Sequence, residues 1–403
     1  MTRIADFVEV KDSKVKSRYS KDKVAVGNFI EDYMNQRVDL TRDFKDLMKH
    51  KDEVFTYNYV GHHWKFFFSR FIPEVLVHSQ KQDERIIRTH YDDKNDLFNW
   101  FLGPRMIYTS CYYKDENETL EQAQDNKLDL IAQKMQLKEG EKLLDIGCGW
   151  GTLVTHFAKH YGVDATGVTI AQAGADWANA LIKENEVTDK ARILRMDYRD
   201  IPKQKYNKIT CLEMAEHVGV KNFKKFMKQI YDMLEDDGIF YMQIACIRER
   251  DTLFFGTPDR QEDLVWGLFM NEYIFSGADA SMPISWDITK MEQAGFEIHS
   301  IENIGIHYSK TIDAWYHNWM GNKQKVLNKY GEYIFRMYQI FLGWSVEIAR
   351  QGSSSAYQIV AYKNQNNFKR NRFIGEVTLG ESNQFKNTSS VSSDKTKEEL
   401  VGN

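Results

Sequence analysis

Residues 142–151 read KLLDIGCGWG, a short apolar run stopped by three glycines, and they are followed by LVTHFAKHY with helical spacing and by VDATGVTI. An apolar run of this length bounded by glycine reads as a buried strand, and strand, helix, strand in succession demands a parallel sheet. The alternation continues. It predicts a helix over 173–185, strands over 191–196 and 208–212, a helix over 221–234, a strand over 238–245 and a last strand over 356–362. Such a string predicts a doubly wound, Rossmann-like α/β fold whose ligands lie at the carboxyl ends of the strands. The domain carrying it spans 136–363, with an aromatic-rich helical insertion over about 250–345 that is too large for a loop and is expected to shape a pocket. Before it, 51–135 reads as a helical, membrane-facing lobe and 1–50 as a polar basic arm; after it, 364–403 reads as a disordered tail.

Charge and cysteine usage narrow the function classes. Lys+Arg 54 against Asp+Glu 58 leaves a net charge of −4, without the basic excess of a nucleic-acid binder. Apolar residues at 42%, charged residues at 28% and a mean hydropathy of −0.56 describe a folded chain and not a multi-span membrane protein. Cys111, Cys148, Cys211 and Cys246 form no CxxC and suit a reducing compartment. MTRIADFVEV holds no apolar core, so no secretory signal is expected. Tyr59 to His78 is the most apolar stretch, but Lys65, Arg70 and Glu74 would each cost roughly 2.5 to 3.5 kcal/mol at a bilayer centre. Val60, Trp64, Phe67, Phe71 and Val75 recur at helical spacing, which fits an amphipathic interfacial helix or a core helix. The cluster Lys11, Lys14, Lys16, Arg18, Lys21 and Lys23 reads as a solvated arm or a lipid-headgroup patch. The expected location is cytoplasmic, peripherally attached to an internal membrane.

The glycine turn lets backbone approach a ligand closely, and the helix N-terminus after it favours an anionic group. A dinucleotide fingerprint would read GxGxxG with an acidic residue about 20 positions on. Here the glycines run GxGxG and the second strand ends at Val168 and Thr169, which disfavours NAD. A DxGxGxG turn after the first strand resembles motif I of S-adenosylmethionine-dependent methyltransferases, with Asp145 orienting the loop. Asp197, Tyr198, Arg199 and Asp200 close the third strand, where an acid and an aromatic could meet an adenine or simply make a turn. Glu213, Glu216 and His217 follow the fourth strand, with Glu216 expected as a functional carboxylate. No HxxxH, HExxH or Cys/His cluster accompanies them, so no metal is expected.

LLDIGCGWGTL, GVTIAQ, MDYRD, EMAEHVGV and IGIHYSKT with WYHNW resemble the cyclopropane-fatty-acyl-phospholipid synthase family, and within it the sphingolipid 9-methyltransferases of fungal type; FLGPRMIYTS and WGLFMNEYIFSGADAS add to that likeness. The resemblance runs from about Ser69 to Lys363. It implies an S-adenosylmethionine cofactor held by Tyr108 and Thr109, by Asp145, Ile146, Gly147, Cys148, Gly149, Trp150 and Gly151, by Thr169, Ile170, Ala171, Gln172, Ala173 and Gly174, and by Tyr198 and Arg199, with Asp197 beside them. In that family a bicarbonate ion held by a Cys, a Glu, a His and a Tyr serves as base. Glu216 and Tyr308 match the Glu and the Tyr; Gln243 stands at the His; and ungapped alignment from LGP puts Ser110, not Cys111, at the Cys. These departures bring the bicarbonate site into question and match the sphingolipid branch.

The implied acceptor is a membrane lipid, sphingolipid or phospholipid. An isolated alkene is a weak nucleophile, and methylating it leaves a carbocation that needs a water-poor, aromatic pocket and one base. The aromatic residues of the insertion fit that need or serve as plain core. Loss of a proton from the transferred methyl closes a cyclopropane, whereas loss from the methylated chain carbon restores a branched alkene. With Gln243 for His and the Ser110/Cys111 change, the expected product is the branched alkene. The alternatives are a cyclopropane synthase on phospholipid acyl chains, a methyltransferase for a small amine, and a non-catalytic lipid-binding protein.

Overall fold

The computed structural model describes residues 2–71, 94–249, 258–275 and 282–374. Its centre is a seven-stranded sheet built from β1 (Lys142–Ile146), β2 (Asp164–Thr169), β3 (Ala191–Arg195), β4 (Tyr206–Leu212), β5 (Leu234–Ile247), β6 (Phe296–Asn303) and β7 (Ser354–Lys363). The spatial order is β6-β7-β5-β4-β1-β2-β3, and only β7 runs antiparallel to its neighbours. Leu143, Leu144 and Ile146 are fully buried, as a parallel strand covered on both faces requires. The chain crosses over at β1, which lies between β2 and β4, so a ligand crevice opens at their carboxyl ends.

Eight helices matter for the site: α1 (Asn95–Leu102), α2 (Leu120–Lys134), α3 (Thr152–Tyr161), α4 (Gln172–Glu184), α5 (Val220–Met233), α6 (Ile284–Ala294), α7 (Gly305–Gly321) and α8 (Lys323–Arg350). The strand β6 falls inside the segment that sequence periodicity assigns to the aromatic insertion. Its burial alternates and it carries Glu297, His299 and Glu302, so it lacks the continuous apolar run by which the inner strands announce themselves. It is an edge strand with one wet face.

The expectation of a solvated arm over 1–50 is corrected. Residues 2–56 fold into short strands and helices, with Val8–Val10 pairing Val38–Leu40 and Val24–Ala25 pairing Phe55–Thr56. Val15 and Tyr19 are buried between the exposed lysines, and Ile4, Phe7 and Phe29 are buried on either side of them. Asp32 is fully buried, ion-paired with Arg18 and Arg37, and accepts from the Tyr19 hydroxyl at 3.1 Å. From α8, Arg336 donates to the Tyr33 and Val38 carbonyls at 3.0 Å and to Asp39 at 2.6 Å. The segment is therefore fastened to the helical lobe.

That lobe and the insertion share one core. Phe98 and Phe101 of α1 pack with Trp315 and Trp319 of α7 and Tyr338, Phe341 and Trp344 of α8. Most insertion aromatics are thus packing residues. The Tyr59–His78 stretch forms Gly61–Phe66 and a wider turn over Phe67–Phe71, with residues 72–93 outside the described set. His63 and Phe66 face the core, while Trp64 and Phe68 stack on each other at 6.1 Å and are 40% and 63% exposed. The described part of the stretch thus has a core side and an exposed aromatic side. Among the described residues no helix is long and apolar enough to cross a membrane. The tail beyond Ile374 and the 276–281 part of WGLFMNEYIFSGADAS also lie outside the described residues.

Candidate active site

The glycines between β1 and α3 answer different constraints. A Cβ on Gly151 (φ +78°) would lie 2.5 Å from the Ala178 Cβ, so glycine lets α3 start hard against α4. A Cβ on Gly149 (φ +52°) would meet nothing within 4 Å. Gly149 instead borders an open cleft at the carboxyl ends of the central strands. The cleft is walled by Gly147–Trp150, by Val168–Ala171 with Gly174, by Met196–Arg199, by Leu212–Met214 with His217, and by Tyr108, Thr109 and Lys127 from the lobe. The loop is fastened to β2 because the Gly147 and Cys148 N–H groups both donate to the Val168 carbonyl at 2.9 Å.

Asp145 sits at the floor, accepting from the Thr210 hydroxyl at 2.8 Å. Burial pushes its carboxyl up to about 7, against the opposing pull of Thr210 and Lys127. Lys127 is itself buried, which lowers its affinity for a proton, and it donates to the Thr109 hydroxyl. Asp197 caps its own turn by accepting from the Arg199 N–H at 2.8 Å, and the Tyr198 ring is held edge-on by Phe226 at 4.9 Å with the Arg199 guanidinium 4.8 Å from its centre. Tyr108 meets Phe98, Phe101, Trp315 and Phe275 at 5.5 to 5.8 Å between ring centres, giving the cleft an aromatic wall.

Beside this cleft lies a carboxylate cluster. Glu213 follows the last residue of β4 with φ +49°, a conformation a glutamate rarely adopts. Its N–H donates to the Gln243 carbonyl at 2.7 Å, and its Oε1 accepts from Gln243 Nε2 at 2.7 Å and from the Ser110 N–H at 2.9 Å. Gln243 is fully buried; its Nε2 also reaches the Ser110 carbonyl at 3.2 Å, while its Oε1 accepts from Gln358 at 3.3 Å. Glu216 accepts from the Ala245 N–H at 2.7 Å, and its buried Oε2 has no hydrogen-bond partner among the described residues. Burial, and then the charge of Glu213, push the Glu216 carboxyl up to about 8. The Tyr308 phenol is held well above its ordinary value, by burial first and then by Glu213 and Glu216.

The sequence-predicted residues therefore divide. Ser110, Gln243, Glu216 and Tyr308 gather around Glu213. Cys111 turns away: its N–H donates to the Thr311 hydroxyl at 3.0 Å, and burial raises its thiol to about 11. Ile146, Gly151, Gln172 and Ala173 stand behind the cleft wall; Gln172 reaches Asp176 at 2.8 Å, and the Ala173 carbonyl accepts from Asn95 at 3.2 Å. Glu213 stands in the sequence only as a neighbour of Glu216 and His217, with no role of its own assigned. Its signal was weak: it is the first charged residue past the ITCL run.

Residues 78–359 match the mycolic acid cyclopropane synthetase family. The chain belongs to that family. It is 44% identical over 383 residues to the sphingolipid C9-methyltransferase of Komagataella phaffii, covering 92% of this chain and 77% of that protein. It is 46% identical over 352 residues to sphingolipid C9-methyltransferase 1 of Gibberella zeae, covering 86% and 67%. Among solved structures, mycolic acid cyclopropane synthase CmaA1 complexed with SAH and CTAB superposes with a TM-score of 0.66 at 25% identity, covering 70% of this chain and 98% of that one. Coclaurine N-methyltransferase shares the fold at 16% identity, with a TM-score of 0.65.

This member of the cyclopropane synthetase family is an S-adenosylmethionine-dependent methyltransferase. The donor set suits that cofactor: open space beside Gly149, a buried acid under the glycine loop, and a mixed polar and apolar wall. It has the doubly wound α/β fold expected from the strand pattern, with a helical lobe and an aromatic core on one side.

Proposed function

We propose that the enzyme methylates carbon 9 of the unsaturated sphingoid base of a ceramide or glucosylceramide and restores the double bond. The observation that carries this reading is the 44% identity to a sphingolipid C9-methyltransferase over 92% of the chain. The sulfonium cofactor supplies an electrophilic methyl with a neutral thioether leaving group. Gly149 and its loop hold that cofactor, Asp145 orients the loop, and Tyr108 with its aromatic neighbours excludes water and faces the developing cation. Ser110, Gln243, Glu216 and Tyr308 form the side on which a proton is removed; Glu216 and Tyr308 hold the base in place, and the Cys111 N–H donates to the Thr311 hydroxyl. The family match favours one rival, a cyclopropane synthase on phospholipid acyl chains, which differs in its acceptor and in which proton leaves.

The enzyme meets its lipid at the surface of an internal membrane. Trp64 and Phe68 are exposed together, and Lys14, Lys16 and Lys21 are exposed on the folded N-terminal segment. Purified enzyme supplied with labelled S-adenosylmethionine and mixed vesicles of glucosylceramide and unsaturated phospholipid tests the acceptor. Label in the sphingoid base is expected, and label confined to phospholipid would contradict the reading.

A further inference from the structure

We propose that the Glu213 carboxylate is the built-in base of this reaction and takes the role that a bound bicarbonate has in cyclopropane synthases. The inference rests on the alkene-methylation reading and names the group that completes it.

The argument is one of hydrogen-bond supply. Four positions hold bicarbonate in the family, here those of Ser110, Gln243, Glu216 and Tyr308, and a bicarbonate at this site would need donors from the first two as well as from Glu216 and Tyr308. The first two are already engaged by Glu213 Oε1, at 2.9 Å from the Ser110 N–H and 2.7 Å from Gln243 Nε2. The amide of Gln243 has two protons, and the second is directed to the Ser110 carbonyl at 3.2 Å. Gln358 donates to the remaining Gln243 oxygen at 3.3 Å, which fixes which end of the amide faces Glu213. Nothing on Gln243 is left for a free anion, and a free anion would stand against the charge of Glu213.

Glu213 is also positioned to act. It lines the cofactor cleft, and its second oxygen makes no hydrogen bond among the described residues. The left-handed backbone that turns it there is a conformation retained only where the surroundings enforce it, here through the N–H bond to Gln243. Two neighbouring buried carboxylates share one negative charge more readily than two. Burial raises both carboxyls, but at Glu213 it is opposed by two donors, Gln243 Nε2 and the Ser110 N–H, and by the attraction of Lys127, whereas Glu216 has one donor and a partnerless oxygen. Glu216 therefore keeps the proton and Glu213 the charge.

The step balances without a further reactant. As the carbon–methyl bond forms, the sulfur–methyl bond breaks and the adjacent chain carbon becomes cationic. Glu213 then takes the proton from the methylated carbon, and the C–H electron pair becomes the new double bond. The proton on Glu213 passes to solvent when product leaves.

The test is methyl transfer into mixed glucosylceramide and phospholipid vesicles, with and without removal of dissolved carbon dioxide and bicarbonate. Wild-type turnover is expected to be unchanged by that removal. Glu213→Gln should bind S-adenosylmethionine like wild type by calorimetry yet lose about 10²- to 10⁴-fold in turnover. Glu213→Gly, which suits the positive φ, should lose as much and recover at least about tenfold with added formate or bicarbonate, since the deleted carboxylate leaves room for one. Loss of wild-type activity on bicarbonate depletion, or a Glu213→Gln enzyme within about threefold of wild type, would overturn the proposal. Label found only in phospholipid would refute the sphingolipid acceptor, while bicarbonate dependence on that labelled lipid would still judge Glu213.

Discussion

Glu213 and Gln243 are joined twice: the Glu213 N–H donates to the Gln243 carbonyl, and Gln243 Nε2 donates to Glu213 Oε1, each at 2.7 Å. The pair locks the end of β4 to the middle of β5 and aims a carboxylate at the cofactor cleft. Replacing Gln243 by Leu removes the amide and leaves the Ser110 carbonyl and Gln358 without their partner. We expect a stability loss of about 1 to 3 kcal/mol. Turnover should fall while cofactor affinity stays near wild type, a split that thermal unfolding, kinetics and calorimetry together measure.

Gly149 tests the cofactor loop. A valine there points a branched side chain into the open space beside the cleft and is strained at φ +52°. The strain should cost on the order of 1 to 3 kcal/mol, leaving a folded protein. Calorimetric titration with S-adenosylmethionine should show no binding. Wild-type affinity in folded Gly149→Val would remove the loop from the site.

Glu216 predicts a pH dependence of stability. Its carboxyl is raised from 4.5 to about 8, first by burial and then by the charge of Glu213. The folded state thus holds the proton more tightly than the unfolded chain. That stability is complete below 4.5 and disappears as pH rises through about 8. Glu216→Gln cannot ionise, so its melting temperature should fall less than that of wild type between acidic and alkaline buffer and exceed it above about pH 8. Asp145, raised to about 7 by burial, leaves a residual slope of the same sign in both proteins.

Trp64 and Phe68 predict membrane binding. Changing both to Ala should reduce sedimentation with anionic vesicles several-fold without altering cofactor affinity in solution. Wild-type binding should weaken with salt, because exposed lysines act over a screening length of about 10 Å at 0.1 M. Equal sedimentation of variant and wild type would remove this patch from the membrane face.

How far the sequence reveals this molecule depends on whether a feature is local. The inner strands are continuous apolar runs such as KLLDI, since both faces are covered, and the glycine turn carries its geometry in its own spacing. The edge strand Phe296–Asn303 is masked by its polar outer face. The N-terminal segment looks solvated because its lysines crowd the text, although Val15 and Tyr19 between them pack inward. Glu213 depends on partners 30 and 103 positions away and on a backbone angle, none of which spacing records. The same contacts decide between neighbours that the sequence leaves in competition: the Ser110 N–H faces Glu213, and the Cys111 N–H faces Thr311.

The most direct measurement is proton NMR of the methylated lipid made by the purified enzyme from S-adenosylmethionine and a sphingolipid with an unsaturated base. Ring closure and branching add the same mass, so mass alone does not separate them. A single remaining vinylic proton beside a new vinylic methyl is the predicted spectrum. An upfield cyclopropane signal with loss of both vinylic protons would contradict the account.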